Sequence, residues 1–185
     1  MPSILLTPPA LEPVSLDEAR AFLRVEHHDD DDTIAALIAS ARIHVETQTR
    51  RALMTQTWRI VADAWPVEGR IAILPAPVQS VRAVRVHDET GAAQTVDVEA
   101  FVIDVATSTL AFAPWALPAP GRASAGIEID VICGYGDAAL DVPEPLRQAV
   151  RELAAHWYEN RGVVGAALMP GTAAALLAPY RMMSL

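Results

Sequence analysis

The apolar pattern of this chain changes period twice. From Ser15 to about Arg51 apolar residues recur at helical spacing, from Thr55 to Gly134 they alternate or form short β-branched runs, and from Val142 to Arg161 the helical spacing returns. A segment patterned for 3.6 residues per turn cannot bury its apolar side as a strand, and one patterned for two cannot bury it as a helix. The chain is therefore expected to be α+β: a small helical bundle with an antiparallel β module inserted between its second and third helices.

The boundaries follow from local signals. "SLDEARAFLRV" opens with a capping box, Ser15 at the cap and Glu18 reaching back, which predicts a helix over 15–23. Ile34, Leu37, Ile38, Ala41 and Val45 predict a second over 31–51, with Arg42 and Glu46 pairing on its opposite face. Leu146, Ala149, Val150, Leu153 and Trp157 predict a third over 143–161, begun at Pro143 and ended by Gly162, and a short fourth spans 171–178. Between them, "TWRIVADA", "RIAILP", "SVRAVRVHDETG", "AQTVDVEAFVID", "STLAFA" and "GIEIDVICGYG" read as about six strands within 55–134. No connection is long enough for a helical crossover, so the strands should be antiparallel. "DETG" marks a hairpin, and "PWALPAPGRASAG" a long loop. Residues 1–14 hold four prolines and little periodicity, which predicts an extended arm without a folded element. The expected organisation is arm 1–14, helical domain 15–54 with 138–162, inserted β module 55–137, and a short C-terminal helix with a tail over 163–185.

Charge and composition exclude several functions. The net charge is −9, and all fourteen basic residues are arginine. A broad phosphate-binding face is thereby disfavoured, because nucleic-acid affinity rests on clustered cations. The single Cys133 excludes an intramolecular disulfide and a cysteine zinc site, and at a strand end it reads as a small buried apolar group. No apolar run is long enough for a transmembrane helix, and the N-terminus lacks the pattern of a signal peptide, so a soluble, non-exported protein is expected.

The one cluster that invites a chemical reading is "HHDDDD", His27 to Asp32. Six adjacent residues cannot converge on one ion from a helix or a strand, and no glycine gives the run the form of a calcium loop. The stripe beginning at Ile34 makes Asp29, Asp30, Asp31 and Asp32 the acidic start of a helix, where carboxylates cap free N–H groups and face the positive end of the dipole. His44, His87 and His156 are isolated, and no P-loop, nucleophile elbow, GxGxxG or HExxH occurs. No catalytic residue, metal or cofactor is indicated. At the other end, Leu176, Leu177, Tyr180, Met182, Met183 and Leu185 crowd the last ten residues, where a terminus is usually polar. Two readings stay open: the tail docks on a partner, or it folds back on its own helices.

"VSLDEARAFLRVE", "DDDDTIAALIASARIHVETQTRRAL", "GYGD", "VPEPLRQAVRELAAHWYENRG" and the closing "LLAPYR" together resemble the head–tail connector (adaptor) proteins of long-tailed phages and phage-derived gene transfer agents. The resemblance covers nearly the whole chain. It is most specific at the aspartate run, at Gly134-Tyr135-Gly136 before Pro143, and at Tyr158-Glu159-Asn160-Arg161. It implies a non-enzymatic subunit of a ring, typically of twelve, docked beneath the portal protein and joining the DNA-filled head to the tail. Neighbouring copies and a tail-side stopper or terminator protein would be its partners, with DNA passing through the lumen unbound. By the same resemblance the segment from about Val163 grips the portal, making Leu176, Leu177, Tyr180, Arg181, Met182, Met183 and Leu185 the contact candidates. Two other classes remain: a β-sandwich module recognising peptide or carbohydrate on a phage particle, and a metal-dependent hydrolase using His27, His28 and the aspartates.

Overall fold

The structure is a computed structural model that describes residues 1–161 and 168–182. The chain divides into two compact units: Met1–Pro9 with Thr55–Tyr135, and Ala10–Met54 with Gly136–Leu185.

The first unit is all β. Strands β1 (Ser3–Thr7), β2 (Gln56–Ala62), β4 (Val78–His87), β5 (Ala93–Val96) and β8 (Ile127–Cys133) form a five-stranded sheet in the order β1-β2-β8-β4-β5. Strands β3 (Arg70–Ala72), β6 (Val102–Asp104) and β7 (Thr109–Ala111) form a second sheet in the order β3-β7-β6. Every pairing is antiparallel. Along β8, Ile127, Ile129, Val131 and Cys133 are fully buried, and with Ile60, Val84, Val86, Ile71 and Leu110 they make the unit's core. Trp65, Phe101 and Phe112 add an aromatic cluster, with centroids 5.1–5.9 Å apart.

Two expectations are corrected here. Residues 1–14 are not an arm free of folded structure, because Ser3–Thr7 pairs along β2 as an edge strand, through a register shift between Leu5 and Thr7. All five β1 residues are exposed, so no buried face exists to imprint an alternating pattern on the sequence. Among the described residues the strands also number eight, against the expected six or so. Besides β1, the run 93–104 is two strands in different sheets, broken by a 3₁₀ turn over Val98–Ala100 that Asp97 caps through the Glu99 N–H. The "DETG" hairpin forms as expected, with Gly91 at φ +85° and its N–H bonded to the Asp88 carbonyl.

The second unit holds α1 (Leu16–Leu23), α2 (Asp31–Thr49), α3 (Glu144–Glu159) and α4 (Gly171–Leu177), the last running into a 3₁₀ turn over Ala178–Tyr180. The capping box is present: the Ser15 hydroxyl accepts from the Glu18 N–H, and Glu18 accepts from the Ser15 N–H at 2.9 Å. Ile34, Ile38, Ala41 and Val45 from α2 meet the buried Leu146, Ala149, Val150 and Leu153 of α3, with Ala173 and Leu177 of α4. Gly162, the expected stop of α3, lies outside the described residues.

Candidate functional site

The aspartate run does lead into α2, but not as a side-chain cap. Asp30 is the N-cap residue at φ −100° and ψ 5°, outside the extended geometry that folds a side chain back onto the first turn, and it makes no cap bond. Its carboxylate turns instead to the end of α3. Tyr158 donates its hydroxyl to Asp30 Oδ2, and Arg161 Nη1 lies 3.5 Å from Oδ1. The Arg161 guanidinium carbon stands 4.0 Å over the Tyr158 ring, and its Nε donates to the Tyr158 carbonyl at 3.0 Å. The Tyr158 hydroxyl, aided by Arg161, holds the Asp30 carboxyl below the usual carboxylate range, and Asp30 in turn raises the phenol.

Asp31 serves a different contact. His28 Nδ1 lies 2.8 Å from both Asp31 Oδ2 and Arg20 Nη1, so that nitrogen either accepts from the arginine or donates to the carboxylate. Arg20 Nε is 3.4 Å from Asp31 Oδ1, and Nη2 donates to the Glu26 carbonyl at 2.9 Å. Asp29 is 95% exposed, with His27 Nδ1 3.9 Å away, and Asp32 also faces outward. The four carboxylates thus diverge, Asp30 toward Tyr158 and Arg161, Asp31 toward His28 and Arg20, and Asp29 and Asp32 outward. Among the described residues no group of three or more His, Cys, Asp or Glu side chains is arranged to hold a metal ion.

Two arginines that sequence reasoning left in the background are buried. Arg42, expected on the exposed face of α2, is 8% exposed; it pairs with Glu46 at 2.8 Å as expected and also with Glu12 at 2.7 Å. Burial works against its charge, but the two glutamates outweigh it and raise the group. Arg147 on α3 is 5% exposed and donates to the Pro13 carbonyl at 2.9 Å, to Glu144 at 2.9 Å and to Glu18. Together they fasten residues 12–18 to the bundle. The signal that could have found them is the pair Glu144 and Arg147, three apart on a helix whose apolar stripe already includes Leu146 and Val150.

Gly134, Tyr135 and Gly136 are where the chain passes from the β unit to the helical unit. Gly134 follows β8 at φ +128°, donates to the Pro77 carbonyl at 2.9 Å and accepts from Gln79 at 2.8 Å. At Gly136 a Cβ would meet the Asp141 carboxylate at 2.1 Å and its Cβ at 2.6 Å. That carboxylate accepts from the Ala138 N–H and orders the turn leading to Val142 and Pro143, the residue at which α3 begins.

At the C-terminus the described residues follow the fold-back reading. Leu177 is fully buried in the helical core and so is corrected as a partner contact. Arg51 Nε donates to the Tyr180 carbonyl at 3.0 Å, the Met182 N–H reaches the Thr49 carbonyl at 3.4 Å, and Arg181 lies 3.4 Å from the Gln48 side chain. Leu176, Tyr180 and Met182 stay half-buried and Arg181 exposed; Met183 and Leu185 lie outside the described residues.

Comparison with known proteins follows the same lines. A search of curated proteins finds no match. Residues 13–100 match the family model of phage gp6-like head-tail connector proteins, a span running from the Pro13 contact through α1, α2 and four strands, β2 to β5. Three solved structures resemble the chain over nearly its full length. One is a chain in the neck of an empty gene transfer agent (GTA) particle, computed with C6 symmetry, at 27% identity and TM-score 0.85, covering 100% of this chain and 97% of that one. The second, in the virion of a native GTA particle, gives 26%, 0.85 and the same coverage. The third, in the neck of a native GTA particle computed with C12 symmetry, gives 27% and 0.75, covering 98% and 97%. The chain is thus similar to phage head-tail connector proteins over residues 13–100, and to chains in the neck and virion of GTA particles over nearly its whole length.

Proposed function

We propose that this chain is a structural subunit of the neck of a phage or gene transfer agent particle, a ring of twelve that joins the DNA-filled head to the tail and continues the DNA channel. The observation that carries the proposal is the end-to-end match, at 27% identity and TM-score 0.85, to a neck chain of a GTA particle, together with a relative in a C12 neck. The net charge of −9 supports a lumen to which DNA does not adhere, because sliding requires that few phosphates be neutralised. On the head side the partner is the portal protein, and on the tail side a stopper or terminator.

Portal contact falls to the side chains near the C-terminus that the helical core leaves accessible: Leu176, Tyr180, Arg181 and Met182, with Met183 and Leu185 beyond the described part. Ring symmetry multiplies a modest contact, so the isolated chain is expected as a monomer or weak associate that closes into a ring on the portal. The test is to mix the purified chain with purified portal rings and examine the product by electron microscopy and light scattering. A stoichiometric ring capping each portal is expected. Portal rings that retain no chain, and particle necks that lack it, would overturn the reading.

A further inference from the structure

The surface that stands out is the pair of open edges of the five-stranded sheet. Among the described residues β1 and β5 have a partner on one side only. Open edges carry unpaired N–H and C=O groups and invite another strand, so proteins usually guard them with charge. The smaller sheet does this, with exposed Arg70 on β3 and Asp104 on β6. The larger sheet does not: β1 reads "SILLT" and β5 "AQTV", both uncharged. Along β1 the apolar side chains are also open, with Met1 62%, Ile4 51%, Leu5 43% and Leu6 42% exposed. At roughly 200 Å² per side chain they leave about 400 Å² of apolar surface, about half of what each partner contributes to an interface of standard size.

We propose that these two edges form the seam between neighbouring copies of the chain, β1 of one subunit pairing with β5 of the next. The inference rests on the ring reading above. A cyclic ring needs two different patches on opposite flanks of each subunit, because its contacts are head to tail. The two edges meet that need, being separated by four strand spacings, about 19 Å. They match in length, at five and four residues. Four successive antiparallel pairings make β1 and β5 run the same way, so rotation about a ring axis brings β5 beside the next copy's β1 as a parallel pair.

Disulfide trapping tests this cleanly, since Cys133 is the one native cysteine and is fully buried. Ile4→Cys, Leu5→Cys or Leu6→Cys is combined with Ala93→Cys, Gln94→Cys or Thr95→Cys, and each double variant is assembled on portal rings and oxidised. At least one combination should give a ladder of linked subunits on a non-reducing gel, absent from the single variants and reversed by reductant. A parallel variant carrying Ile4→Lys with Leu6→Lys, shown to be folded by circular dichroism, should enter rings at least tenfold less. Wild-type-like entry of that variant, with no ladder from any combination, overturns the seam while leaving the connector reading intact. If the wild-type chain forms no ring on portals or in necks, the connector reading fails and the seam with it.

Discussion

Asp30 and Tyr158 lie far apart in the chain, and their contact links the two stretches by which the sequence most resembles a connector. Tyr158→Phe removes the hydroxyl, so the Asp30 carboxyl should titrate closer to its ordinary value, about 3.9. Carboxyl NMR signals followed through an acid titration check this. The sign follows from the direction: a depressed carboxylate adds stability above its unfolded value, and the contribution is lost as pH falls through its folded one. Wild type should therefore lose more stability between neutral pH and pH about 3 than Tyr158→Phe does. Cys133 is the second residue-scale case, its thiol pushed up to about 12 by burial. It should resist a thiol reagent in the native protein and react once the chain is unfolded; modification of the folded protein would refute the burial. Both cysteine placement and helix start were legible from neighbours in the sequence. The carboxylate's actual partner was not, because hydrogen bonding across such a separation leaves no local pattern.

At the scale of elements, two tethers decide where segments lie. Arg147 holds residues leading into α1 through the Pro13 carbonyl and Glu18. Arg147→Ala strands the buried Pro13 carbonyl and releases the more exposed Glu18, and should cost about 1–3 kcal/mol, read from urea unfolding. Leu177 plugs α4 into the bundle at full burial. Leu177→Ala should cost about 2–5 kcal/mol, as for other fully buried leucines. Arg181→Ala, at an exposed site, should leave the unfolding midpoint within about 0.5 kcal/mol of wild type, so any effect on portal retention would be one of contact. A chain ending at Gly171 loses Ala173 and Leu177 from the core, so it should be unstable as well as inactive. Helical elements were legible because an amphipathic stripe of four or five turns outweighs local noise. β1 was not, because a strand exposed on both faces has no periodic constraint, and residues 93–104 hid a break whose two halves serve different sheets.

For the whole molecule the working unit is the assembly. Purified chain should run as a monomer in solution and be found, by particle electron microscopy, as a ring at the neck; a ring at the tail tip or on the capsid exterior would refute its place. The sequence by itself determined the α+β class, the insertion of strands between two helical segments, the acidic start of α2 and the family resemblance, because each is written in spacing within some twenty residues. Only the tertiary structure decided that the first residues complete the sheet, that Arg42 and Arg147 are buried tethers, that Asp30 turns to Tyr158 instead of its own helix, and that Leu177 belongs to the core. Those outcomes depend on which surfaces meet after the chain has crossed 30 residues, as between Glu12 and Arg42, or as many as 134, as between Pro13 and Arg147, and hydrophobic burial and long-range hydrogen bonds select them without marking the sequence locally.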